Sequence, residues 1–169
     1  FDEDKNELTV TNISTNQWEL SDPVATKIIE FEVKETFDTP VDEHPLYLMG
    51  GTSIENDHVL LNTFDVLGYP TGLKERDFYL DVDYPSGWKI ATSLPKTAGG
   101  LYYAEDYDKF VDSPIIMGDI TVASVLIDGA KINVNTYSEG DQISAGQVMN
   151  DVEQVMEDAS AFLNGLPVD

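Results

Sequence analysis

Two histidines, 32 acidic side chains and a cluster of tyrosines carry whatever chemistry this chain has. Neither His44 nor His58 stands in an H-E-x-x-H sequence, and no second histidine lies at helical spacing from either. A zinc site built on them would need carboxylates to complete it. His44, between Glu43 and Pro45, reads as a loop residue, and His58 reads as the start of a strand. No G-x-S-x-G elbow supplies a serine nucleophile, and no G-x-G-x-x-G or Walker sequence supplies a phosphate cradle. The absence of cysteine excludes disulfides, thiolate zinc sites and cysteine nucleophiles.

The carboxylates sort into three groups. Asp2, Asp4 and Asn6 have the opening spacing of an EF-hand loop. Glu7 then stands where the sharp turn needs glycine and Ile13 where the bidentate Glu belongs, so the loop fails. Asp81 with Asp83, and Asp106 with Asp108 and Asp112, are the remaining candidates for Ca²⁺, against the alternative of a solvated face. Asp112-Ser113-Pro114 matches an aspartic protease triplet only superficially, since the glycine is missing and there is no second copy. Tyr102, Tyr103 and Tyr107 offer either a sugar-stacking platform or loop packing.

Alternation of apolar and polar residues predicts the elements that must position these groups. Strands are expected at Glu7–Ile13, around Trp18, at Ala25–Thr36, His58–Phe64, Phe78–Tyr84 and Gly87–Ser93. Within Ala25–Thr36, Ile29, Phe31 and Val33 share one face while Glu30, Glu32 and Lys34 share the other. Pro40 and Pro45 exclude a central strand between 37 and 57. Ala104–Phe110 reads as a helical turn or two. Ile120–Ile127 and Lys131–Tyr137 form a hairpin, because Asp128-Gly129 is favoured type I′ turn chemistry.

The period then changes to that of a helix over about 145–163. Ser144 and Gln147 make a capping box, and Asn164-Gly165 with Pro167 gives a stop. Val148, Val152, Val155, Ala159 and Phe162 recur at helical spacing, with Met156 and Leu163 beside them. The expected class is mainly β, an antiparallel sandwich- or saddle-like domain at 1–140 followed by one helix at 141–169. The helix's apolar stripe must cover the sheet, meet a partner, pair with another copy or stay exposed.

The formal net charge is −23, with nine basic residues against the 32 acidic ones. A field of that sign repels phosphate backbones, which excludes nucleic-acid binding. No apolar run is long enough to cross a bilayer. A hydrophobic fraction of 41% supports a core. The charge suits an exported protein (periplasmic, lipoprotein or extracellular), a salt-adapted one or a cation binder. A chain that starts at Phe1 reads as processed or as a fragment, with any export signal already removed.

Two blocks in order carry a family resemblance. The first is Trp88-Lys89-Ile90-Ala91-Thr92-Ser93-Leu94-Pro95. The second is Tyr107-Asp108-Lys109-Phe110-Val111-Asp112-Ser113-Pro114. They resemble the W-x-I-A-T-x-L strand and Y-D-x-L-V-D-S-P segment of the N-terminal domain of the glycyl aminopeptidase family of zinc metallopeptidases, with Phe110 at a usually aliphatic position. The run from Phe162 to Asp169 resembles the segment leading into that family's catalytic domain.

The resemblance implies a non-catalytic β-rich domain placed before a thermolysin-like zinc domain, often followed by a PDZ domain. It further implies strands ahead of the equivalent of Glu7. No family catalytic motif occurs in this chain, so no catalytic, cofactor or metal residue carries over. Zinc and the peptide substrate are expected to meet on the catalytic domain of the same polypeptide. The segment Leu101–Pro114, with Tyr102, Tyr103, Tyr107, Asp112, Ser113 and Pro114, is the expected cleft wall or domain interface. The residues alone leave open a carbohydrate- or calcium-binding module, or a structural or adhesion module of an exported bacterial protein.

Overall fold

A computed structural model describes residues 1–38 and 50–167. The readings of Pro40, His44 and Pro45 lie outside the described residues, as do Val168 and Asp169. The chain divides into two units, Phe1–Val33 and Lys34–Asp169. Among the described residues it is mainly antiparallel β with one long C-terminal helix.

The first unit holds one hairpin, β1 (Val10–Ser14) with β2 (Gln17–Leu20), paired Val10↔Leu20, Thr11↔Glu19 and Asn12↔Trp18. The Asn12 side-chain amide closes it by donating to the carbonyls of Ser14 (2.7 Å) and Gln17 (3.2 Å). The Asp2 carboxylate accepts from both the backbone and the side chain of Asn6, each at 2.8 Å. The EF-hand-like spacing therefore closes a local turn.

The strand expected at Ala25–Thr36 is not formed: no ladder runs through it among the described residues. Phe1 and Ile28 exchange one pair of backbone bonds, at 2.8 and 3.2 Å. Ile29 and Phe31, read as the inward face, are 52% and 64% exposed. Alternation sorts side chains between two faces, but a strand also needs a backbone partner, which the alternation does not supply.

The second unit contains a four-stranded sheet in the order β3 (Ser53–Ile54), β4 (His58–Leu61), β8 (Ile115–Gly118), β6 (Lys89–Ala91). The apolar run Ile115-Ile116-Met117 suits β8 to its central place, and Ile115 and Met117 are buried. Gly118 ends β8 opposite both His58 and Lys89. Its φ is +146°, and a Cβ there would lie 2.8 Å from the Asp57 carbonyl oxygen, so only glycine fits.

The strand expected at His58–Phe64 stops at Leu61 and gives way to a helical turn, α1 (Thr63–Val66). Buried Thr63 fixes the change by donating its hydroxyl to the Val111 carbonyl at 2.8 Å. Phe64 consequently points outward, 69% exposed. A second ladder joins β5 (Phe78–Leu80) to β7 (Tyr102–Ala104), pairing Tyr79 with Tyr103. Beside it α2 (Tyr107–Val111) starts at Asp106, whose side chain accepts from the Lys109 N–H.

The expected hairpin is β9 (Thr121–Ile127) with β10 (Ala130–Thr136). Asp128 and Gly129 both have positive φ, +47° and +87°, as a type I′ turn requires. The expected helix is α3 (Ala145–Leu163), with the Ser144–Gln147 capping box formed and Asn164 in the left-handed region. It packs against β9 and β10. Its stripe divides along the way. Ala145, Met149 and Ser160 are buried, and Val148, Val152, Met156 and Ala159 are half-buried, while Val155 and Phe162 are 62% and 88% exposed.

Candidate functional site

The segment from Leu101 to Pro114 begins as a strand and ends as a helix. Sequence reading gave it no strand, because Tyr102-Tyr103-Ala104 is short and follows Gly99-Gly100. Once β7 pairs with β5, successive tyrosines must face opposite ways. Tyr102 turns into the core with Leu94, Ala104, Tyr107 and Phe110, and the Lys96 ammonium sits 4.5 Å from its ring centre. Tyr103 turns outward, stacks obliquely on Tyr79, and donates its hydroxyl to Asp77 at 3.2 Å. Desolvation first, and the Asp77 bond second, hold the Tyr103 phenol above its usual range.

Tyr107 is the hinge pin of the segment. It is buried, its ring touches Tyr69 and Phe78, and its hydroxyl donates to the Leu67 carbonyl at 2.6 Å. Desolvation raises its phenol as well. Phe110 stacks on Phe78 with ring centres 5.1 Å apart. Ser113 is buried, donates to the Lys109 carbonyl at 2.9 Å and accepts from the Ser93 hydroxyl at 2.8 Å. The Ser93 bond ties the two family-like blocks to each other, while the Lys109 bond is internal to the second. Asp112 caps α2 and is exposed, as is Pro114.

The six predicted residues therefore divide. Tyr102, Tyr107 and Ser113 hold the segment from inside, Tyr103 is half-buried on the opposite face of β7, and Asp112 and Pro114 are exposed. Asp77 and Tyr79 engage Tyr103, and Tyr69 packs on Tyr107; spacing does not show these contacts, since the three residues stand far back in the chain. The Lys74–Asp108 pair at 2.8 Å is solvent-accessible and contributes little by itself.

A second cluster was not foreseen. His58 stacks on Tyr137, ring centres 3.9 Å apart, and Asp57 joins them. One Asp57 oxygen lies 2.9 Å from His58 Nδ1, and the other accepts the Tyr137 hydroxyl at 2.9 Å. His58 first, then Tyr137, hold the Asp57 carboxyl below its usual range, and the same bond raises the Tyr137 phenol. Only the adjacency of Asp57 and His58 was visible in sequence, because Tyr137 arrives from the far end of β10. No hydroxyl nucleophile is bonded to the ring among the described residues. Nor do three His, Asp or Glu side chains converge there as a metal site would require. These residues do not fit a catalytic zinc.

The sequence profile of the peptidase M61 N-terminal domain matches residues 1–119, a span holding both blocks. Among solved structures, an aminopeptidase N family protein from Idiomarina loihiensis resembles this chain in fold, with a TM-score of 0.69 at 18% identity. The match covers 95% of this chain and 27% of that one. No curated protein matches. With most of its length inside the profile, the chain belongs to the family of peptidase M61 N-terminal domains.

Proposed function

We propose that this chain is the non-catalytic N-terminal domain of a glycyl aminopeptidase-like metallopeptidase, and that the outer side of its tyrosine segment forms one wall of the substrate cleft. The observation that carries the reading is the M61 N-terminal profile over residues 1–119, with the Trp88 and Tyr107 blocks tied together through Ser113. The buried members of the segment fix its shape, and Tyr103, Asp112 and Pro114 are the side chains left to meet substrate or the catalytic domain. Bond cleavage, and the zinc it would use, belong in this reading to polypeptide outside this chain. No step of the hydrolysis is assigned to residues here. Export of the parent protein fits its acidity, as part of the same proposal.

The test is turnover of a peptide with a free amino terminus by the longer polypeptide. Tyr103→Ala combined with Asp112→Ala should lower kcat/KM about ten-fold, roughly one lost oriented contact. Unchanged turnover would remove the cleft-wall role. The buried rings of Tyr102 and Tyr107 offer no face to a sugar, so the carbohydrate reading gains nothing from the structure.

A further inference from the structure

One side of α3 carries two parallel rows. Val148, Val155 and Phe162 stand seven residues apart and so line up along the helix, drifting only about 20° per heptad. Asp151 and Asp158, also seven apart, run beside them on the solvent side. Val152 and Ala159 complete a 4-3-4-3 spacing on the side nearer the β9–β10 hairpin and are half-buried. That spacing is the seam of a left-handed helix pair. Exposure increases along the row, from half-buried Val148 to Val155 at 62% and Phe162 at 88%.

Charge selects the occupant. The helix contains Asp151, Glu153, Glu157 and Asp158 and no lysine or arginine. A second copy would set acidic border against acidic border, on chains that each carry −23. A helix with an apolar row and a flanking row of Lys or Arg satisfies both rows at once. We propose that α3 docks such a basic-bordered amphipathic helix, supplied by the remainder of the longer polypeptide. The inference rests on the N-terminal-domain reading for the source of the helix, and on the two rows for its chemistry.

The chemistry is tested with the 169-residue chain and three synthetic helical peptides. The first has leucines at 4-3 spacing bordered by lysines. The second has glutamates for the lysines, and the third keeps the lysines but has serines for the leucines. Fluorescence anisotropy at 0.1 M salt should show the first binding at least ten-fold tighter than either control. Asp151→Lys with Asp158→Lys, and separately Phe162→Ser, should each weaken it about ten-fold. All three sites are exposed, and far-UV circular dichroism checks that the helix persists. Equal binding of the serine peptide reduces the effect to general charge attraction and overturns the proposal. Equal binding of the glutamate peptide, or indifference to the aspartate changes, also overturns it. So does a dimer in sedimentation velocity that Phe162→Ser dissolves, since the occupant is then a second copy.

The source is tested by amide hydrogen exchange across α3. Protection should rise at least ten-fold in the longer polypeptide relative to this chain, and equal exchange in both overturns an intramolecular partner. The peptide results do not depend on the parent's activity. A failed cleft-wall test with successful docking, or the reverse, separates the two readings.

Discussion

Residues 1–33 and residues 102–117 are both rich in aromatic and β-branched side chains, and they fare oppositely. In the second stretch Tyr102, Tyr107, Phe110, Ile115 and Met117 are buried. In the first, no residue is buried, and Trp18 and Phe31 are 59% and 64% exposed. Composition does not separate them. The second stretch has a ladder on β5, a helix that folds back, and a strand with neighbours on both edges. The first has a two-stranded ribbon and one bonded pair at Phe1–Ile28, and a lone hairpin of that kind is marginal in water. Burial follows from having backbone partners that hold the side chains together.

The most forceful way to break this comparison is to truncate one aromatic in each stretch. Phe110→Ala should cost about 3–5 kcal/mol in urea unfolding followed by circular dichroism. Phe31→Ala should stay within about 0.5 kcal/mol. Similar costs at both positions would mean the two stretches are equally packed. A backbone test follows at about 2 kcal/mol. Gly118→Ala forces a Cβ to within 2.8 Å of a carbonyl oxygen at a φ of +146°, so it should destabilise despite adding apolar surface. An unchanged melting curve would show that β8 can shift at no cost. Below that stands Ser113→Ala, at about 1–2 kcal/mol, because it leaves the Lys109 carbonyl and the Ser93 hydroxyl without their buried partner.

The same contrast explains what the sequence could tell. The β9–β10 hairpin and α3 were legible to within a residue or two, since Asp128-Gly129 and the Ser144–Gln147 box are local devices with one favoured geometry. β7 and α1 were not, because each is decided by a distant partner, Phe78–Leu80 for one and Val111 for the other. Ala25–Thr36 was the clearest alternation in the chain and forms no ladder among the described residues, since alternation alone does not supply a partner. At the tyrosine segment, the sequence did not show which way each side chain points. The parity of Tyr102 and Tyr103 was fixed only once β7 had a register. The Asp57–His58–Tyr137 cluster depends wholly on where β10 ends, and α3 divides its apolar stripe because the β9–β10 hairpin covers only one side of it.

The smallest effects pit two carboxylates against each other. Asp65, half-buried within α1, has an Oδ2 with no hydrogen-bond partner among the described residues, and desolvation raises its pKa above 3.8. Its proton is held more tightly in the folded state, so the charged form weighs against folding once pH passes above that raised value. Asp57 is the reverse. His58 and Tyr137 hold its pKa below 3.8, so its contribution is present above 3.8 and is lost as pH falls through the depressed value. Asp65→Asn should therefore raise the melting temperature at pH 7 and leave it little changed at pH 3. Asp57→Asn should lower it slightly at pH 7, with the difference shrinking as pH drops toward 2. Parallel melts of the two variants across that range decide the matter. Shifts of the same sign would mean that one of the two, the buried, unpaired oxygen or the stacked His58–Tyr137 clasp, does not govern its carboxylate.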